Sequence, residues 1–207
     1  GRRDWTFKTT PKVISGLTQA CLVKVQEFYE SIIDSPVPVK GTWEAELTKL
    51  LENTFRHVNI ALINELAVFA HQLNVDIWDA IEAAGSKPFG FMRFTPGPGV
   101  GGHCIPVDPS YLSWAVRKGL GQTFRFVELA NDVNEHQPVH VVERAMKLLN
   151  QDRKALNGAK VVLIKPAPVN GYRGWRSPAL PEFDPFWKDV EDAGMPVVLH
   201  ASQPPLD

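Results

Sequence analysis

Between Phe94 and Pro109 the chain reads F-T-P-G-P-G-V-G-G-H-C-I-P-V-D-P, which sets Cys104 and Asp108 four residues apart behind a run of glycines. A thiol of this kind can attack a carbonyl carbon, and a carboxylate beside it can hold or activate water. A cysteine alone is more often a small buried hydrophobe than a nucleophile, but a core cysteine has no use for so much Gly-rich backbone. Gly97, Gly99 and Gly102 formally satisfy the G-x-G-x-x-G spacing of a dinucleotide loop, which needs a strand before it and a helix after it. Thr95-Pro96 stands where the strand should end, and Pro106 and Pro109 stand where a helix interior should run. The phosphate-loop reading is therefore rejected. The segment is expected to be a loop that lays backbone N–H groups against a ligand and presents Cys104.

The elements that must position this loop are mainly helical. Lys12-Val13-Ile14-Ser15 reads as a short strand, and Thr18 as the N-cap of a helix with Leu22, Val25, Tyr29 and Ile32 at helical spacing, ended by Ser35-Pro36-Val37-Pro38. Thr42 is the next N-cap, and nothing breaks the helix from Trp43 to about Leu73. One stripe of it, Leu47, Leu50, Leu51, Phe55, Val58, Leu62, Leu66, Phe69 and Leu73, is apolar. The opposite line runs from polar Lys49, Asn53 and Arg56 to apolar Ile60, Ile63 and Ala67, so that face is expected to be solvated first and buried later. Two apolar stripes need two covering layers, either a second subunit or a bundle formed by the chain itself. Asp76–Ala84 and Tyr111–Lys118 read as short helices. Phe124–Leu149 reads as one helix, kinked or restarted at Pro138, with Leu129, Val133, Val141, Val142, Ala145, Met146 and Leu149 on its buried side. His136 and His140 have metal-pair spacing, but Glu135 precedes the first and Pro138 lies between them, so a surface or capping role is expected and no metal site is assigned.

Composition excludes several classes of function. A net charge of −1 without a basic run argues against nucleic acid or an anionic membrane as partner. The most apolar segment, Val58 to Ala70, is interrupted by Asn59, Asn64 and Glu65 and is too short and polar for a membrane span. Cys21 and Cys104 fit neither a disulfide framework nor metal-ligand spacing, which implies a reducing, cytoplasmic setting. The first residues, Gly-Arg-Arg-Asp-Trp, lack both an initiator Met and the apolar core of a signal peptide, so a fragment is expected.

Gly101-Gly102-His103-Cys104-Ile105-Pro106-Val107-Asp108-Pro109 resembles the active-site loop of the UDP-glucose/GDP-mannose dehydrogenase family, in its branch acting on UDP-N-acetylhexosamines. The resemblance runs from about Thr9 to about Val161. It implies a long-helix central dimerisation domain over 18–150, a remnant strand of the N-terminal NAD-binding Rossmann domain in 1–17, and an incomplete α/β segment in 151–207. It also implies NAD-dependent four-electron oxidation of the C6 alcohol of a UDP-sugar, a UDP-N-acetylhexosamine or UDP-glucose, to the uronate, for polysaccharide precursors, and a homodimer through the helix 43–73. Cys104 matches the family nucleophile, which captures the aldehyde as a thiohemiacetal and passes through a thioester. Lys49 and Asn53 match the pair that stabilises oxyanions and positions water, and Asp108 matches the carboxylate that holds or activates water. Phe94, Gly97, Gly99, Gly101 and Gly102 are the implied substrate contacts. Val107 stands where many relatives carry lysine, which is compatible with the acetylhexosamine branch. Without its cofactor domain the chain is expected to be inactive alone, and a non-catalytic helical dimerisation module is the alternative.

Downstream of about Lys160 the character changes, with eight prolines from Pro166 to Pro205. The Gly-rich turn of a second nucleotide-binding domain is missing after Leu156-Asn157-Gly158-Ala159-Lys160-Val161, where the chain reads Val162-Leu163-Ile164-Lys165-Pro166. Residues 162–202, with Pro196-Val197-Val198-Leu199-His200-Ala201, resemble an interior piece of a metal-dependent amidohydrolase barrel, in which His200 would match a metal ligand. A metal-dependent amidohydrolase fragment is therefore a further alternative, although a lone His makes no site. Arg176-Ser177-Pro178-Ala179-Leu180 offers the other reading, a dehydrogenase register kept through the C-terminal segment.

Overall fold

Among the described residues, five helices and three two-stranded pairings make a mainly helical architecture in the computed structural model. The structure describes residues 5–159 throughout and, beyond them, residues 162–164, 169–171, 174–176 and 197–199 together with 185, 188, 190 and 192. The chain packs as two units, one holding residues up to 57 with 102–127, the other 58–101 with the described residues from 128 onward.

In the first unit Thr18 caps helix α1 (Gln19–Glu30) as expected, its side-chain oxygen accepting the Cys21 N–H at 3.2 Å. The same periodicity that predicted the helix leaves Leu22, Val25 and Tyr29 half-buried. Strands β1 (Lys12–Ile14) and β2 (Pro36–Pro38) flank α1 and pair in parallel, Val13 opposite Val37. The run Ser35–Pro38, read as no more than a helix stop, is thus an edge strand, a place where proline's missing N–H costs no ladder bond. A Cβ on Gly16 would sit 2.4 Å from the Leu22 backbone nitrogen, so the turn from β1 into α1 closes against its own helix and only glycine fits.

Helix α2 (Thr42–Gln72) runs 31 residues, about 46 Å, as the unbroken pattern predicted, although Thr42 is its first helical residue and not its cap. It stops where Asn74 takes a left-handed φ of 57° and the Val75 N–H closes back on the Ala70 carbonyl at 2.8 Å, a Schellman stop. The faces of α2 differ from expectation. Leu47, Leu51, Phe55, Leu62, Leu66, Phe69 and Leu73 of the Leu-rich stripe are exposed, whereas Asn53, Thr54, His57, Ile60, Ala61, Ile63, Asn64 and Ala70 are buried. Of the line expected to begin solvated, Asn53, Ile60 and Ile63 are buried and Arg56 and Ala67 half-buried, so burial starts at Asn53, earlier than expected. Its smaller and amide side chains let the helix approach its neighbours closely and hydrogen-bond to them.

Helix α3 (Ile77–Ala84) starts at the expected place, Asp76 accepting the N–H of Trp78 at 2.8 Å and of Asp79 at 3.4 Å. Helix α4 (Cys104–Leu120) begins seven residues before the expected Tyr111, and helix α5 (Arg125–Gln151) passes through Pro138 unbroken. On α5 the buried residues are Val127, Ala130, Asn134, Gln137 and Leu149; of the side expected to be buried, Leu129, Val142 and Met146 are exposed. The phase slipped because two buried positions are amides, which a count of apolar residues skips. His136 is exposed, its Nδ1 2.7 Å from the Asp132 carbonyl oxygen. No helix of the described residues is long and apolar enough to cross a membrane.

Beyond residue 159, β3 (Val162–Ile164) pairs in parallel with β6 (Val197–Leu199), and β4 (Val169–Gly171) pairs antiparallel with β5 (Gly174–Arg176). His200 and residues 177–180 lie outside the described residues.

Candidate active site

Cys104 is the first residue of α4 and is exposed. Pro106 falls in the first turn, where backbone N–H groups have no helical partner, so its missing donor costs nothing there. Pro109 lies inside the helix, where it removes one backbone bond without ending it, so the loop expected to carry Cys104 and Asp108 is a helix start. Four residues apart on one helix, Cys104 and Asp108 share a face. His103 precedes the helix without a side-chain capping bond, and no acidic residue occupies the first turn. The partial positive charge of the helix terminus therefore lies beside Cys104 without an acidic side chain to offset it.

Asp108 meets α2. The Asn53 Nδ2 donates to Asp108 Oδ2 at 2.5 Å, and Asn53 is only 1% exposed. On its other side the Asn53 Oδ1 accepts from Arg56 Nη1 at 3.2 Å. Arg56 entered the sequence reading only as part of a polar face; the signal for its role is the Asn53-x-x-Arg56 spacing, which makes the two neighbours on a helix. Lys49, one turn before Asn53, is exposed, with Nζ 3.8 Å from Glu52 Oε2. The structure thus joins Asn53 to Asp108, one turn from Cys104, and holds Lys49 on a surface ion pair. On the same helix Pro106, Val107, Ser110, Tyr111 and Trp114 line an open, mostly apolar groove of about 440 Å³.

The candidate substrate contacts 94–101 belong to the second unit, where a buried amide pair anchors them. Asn64 on α2 is 0% exposed; its Oδ1 accepts the Gly97 N–H at 2.8 Å and its Nδ2 donates to Asn134 Oδ1 of α5 at 2.9 Å. Gly99 has φ +116°, and a Cβ there would lie 2.9 Å from the Asn134 carbonyl oxygen. Phe94 is buried. The Gly97 donor expected to face a ligand is used internally, and Asn64, read as an interruption of an apolar run, is the residue that uses it. Gly101 and Gly102 have open space beside their Cα atoms, Gly102 with φ +93°. Asn64→Ala is expected to destabilise the chain by about 2–4 kcal/mol, because it removes two buried hydrogen bonds, one from the Gly97 N–H and one to Asn134 Oδ1. A denaturant midpoint unchanged from wild type would refute this.

Residues 43–136 match the sequence pattern of the UDP-glucose/GDP-mannose dehydrogenase family, central domain. This stretch belongs to that family. The UDP-N-acetyl-D-mannosamine dehydrogenase of Methanocaldococcus jannaschii is 36% identical over 141 residues, 68% of this chain and 32% of that protein. The NDP-N-acetyl-D-galactosaminuronic acid dehydrogenase of Ralstonia nicotianae is 37% identical over 133 residues, 64% of this chain and 30% of that protein. The solved UDP-D-ManNAc dehydrogenase of Pyrococcus horikoshii superposes with a TM-score of 0.67 at 29% identity, covering 92% of this chain and 44% of that one. The chain spans about a third of the length of the curated relatives it matches. Membership of a nucleotide-sugar dehydrogenase family agrees with the resemblance carried by residues 101–109. The family match takes in Lys49, Asn53, Cys104 and Asp108.

Proposed function

We propose that this chain supplies the central, covalent-catalysis part of a UDP-sugar 6-dehydrogenase acting on a UDP-N-acetylhexosamine and forming a uronate for polysaccharide precursors. The observation that carries the reading is the Asn53–Asp108 hydrogen bond one turn from Cys104. The Cys104 sulfur adds to the carbonyl carbon of the sugar aldehyde, forming a C–S bond as the carbonyl π pair moves to oxygen and the thiol proton is released. The free N–H groups opening α4 favour that oxyanion. Once the adduct is oxidised to a thioester, water attacks the acyl carbon, Asp108 takes a water proton, and the C–S bond breaks to free the carboxylate and the thiol. Asn53 holds Asp108 for that step. Lys49 acts on the oxyanion only after leaving Glu52, a small cost for an exposed pair.

NAD is the proposed oxidant of the whole enzyme, taking a hydride at each of the two oxidations. The described residues do not form a place for it. The G-x-G-x-x-G segment follows no strand and spends the Gly97 N–H on Asn64, and the β1–α1 turn at Gly16 is filled by its own helix.

The proposed partner is a second copy of the chain, bound through α2. The exposed stripe Leu47, Leu51, Phe55, Leu62, Leu66, Phe69 and Leu73 supports it, since monomeric soluble proteins rarely leave such a long apolar row in water. A dimerisation module without chemistry would explain the stripe but not a buried amide bound to a carboxylate beside Cys104. The test is NAD reduction with UDP-N-acetylhexosamines, with and without a separately supplied N-terminal nucleotide-binding domain. Turnover on mixing only is expected. No turnover in either arm rejects the dehydrogenase reading.

A further inference from the structure

We infer that Arg56 is a positioning residue for the candidate site: it fixes the carboxamide plane of Asn53 so that the NH2 group, and not the oxygen, faces Asp108. This inference rests on the dehydrogenase reading for its consequence in catalysis and on geometry alone for the contact. A primary amide is nearly symmetrical in shape, and packing alone discriminates poorly between its two orientations. Here the discrimination is chemical. A guanidinium only donates and an ionised carboxylate only accepts, so an amide between them has one satisfied orientation, Oδ1 toward Arg56 and NH2 toward Asp108. The distances are 3.2 Å from Arg56 Nη1 to Asn53 Oδ1 and 2.5 Å from Asn53 Nδ2 to Asp108 Oδ2. With Asn53 1% exposed, no solvent competes for either end. Removing the guanidinium leaves the amide oxygen without this donor and frees the amide to turn, and a turned amide presents oxygen to the Asp108 carboxylate.

The deciding measurement is nuclear magnetic resonance of the Asn53 side-chain NH2 in the intact chain. In the wild type its two protons should give one shifted, slowly exchanging pair that collapses in Asp108→Asn. Arg56→Leu is expected to speed their exchange about tenfold or more, and Arg56→Lys, still a donor-only cation, to restore most of the protection. Wild-type shifts and exchange rates in Arg56→Leu overturn the proposal. If that variant does not fold, Arg56→Gln carries the same test, because glutamine donates and accepts and should leave two Asn53 orientations; a single wild-type pair there overturns it equally. In the chain complemented with the N-terminal domain, kcat should fall roughly tenfold in Arg56→Leu while KM for the UDP-sugar stays within about threefold, and recover in Arg56→Lys. A wild type without turnover counts against the dehydrogenase reading, while the amide signals still decide the role of Arg56.

Discussion

Cys104→Ser is expected to lower uronate formation by the complemented chain on the order of 10³-fold or more, the scale of removing a covalent nucleophile. Serine keeps the size and the place at the start of α4 but is a far weaker nucleophile near neutral pH, and its oxygen is a poorer leaving group from the acyl intermediate. Because Cys104 is exposed, the substitution should move the unfolding midpoint by no more than about 0.5 kcal/mol, so the loss would report chemistry and not folding. The product assay separates two levels of the proposal. Loss of uronate supports the covalent route. Uronate formation within about tenfold of wild type would show that Cys104 is not the nucleophile, even if Asn53 and Asp108 serve a dehydrogenase.

What was legible in the sequence, and what was not, divides by physical cause. Thr18 was readable as a cap because a short polar side chain ahead of an apolar period has one favourable use, and it accepts a first-turn N–H group. The extent of α2 was readable because nothing in it breaks a helix. The start of α4 was hidden by Pro106 and Pro109, read as interior breakers although the first lies where a helix has donors to spare. The buried faces of α2 and α5 were hidden by their amides. Asn53, Asn64, Asn134 and Gln137 are buried by hydrogen bonding or close packing that no hydrophobic count registers, while Leu62, Phe69, Leu129 and Val142, which such a count favours, lie on exposed faces. Of the candidate site, spacing along the chain gave Cys104 and Asp108, and the family resemblance gave Asn53. The Asn53–Asp108 contact spans 55 positions, so only the fold could show it, whereas Arg56 lies three residues from Asn53 on the same helix and that spacing was there to be read.

Leu62→Asp is expected to convert the proposed dimer into a folded monomer. Leu62 is 51% exposed in the single chain, so a carboxylate at this position is solvated in the monomer and helix content should be unchanged. In a dimer built on the α2 stripe the same carboxylate would be buried without a partner, at a cost of several kcal/mol. A two-fold interface meets that change twice, so at about 1.4 kcal/mol per tenfold the dissociation constant should rise well over a hundredfold. Ile63→Asp is the control on the adjacent residue. Ile63 is 6% exposed, so its carboxylate would be buried within the chain, and that variant should lose its fold and not merely its partner. Sedimentation at micromolar concentration with circular dichroism reads both outcomes. A wild type that sediments only as a monomer, or a Leu62→Asp variant that remains dimeric, removes α2 as the interface. Unfolding of Leu62→Asp alongside Ile63→Asp would instead mean that the Leu-rich stripe is covered within the chain.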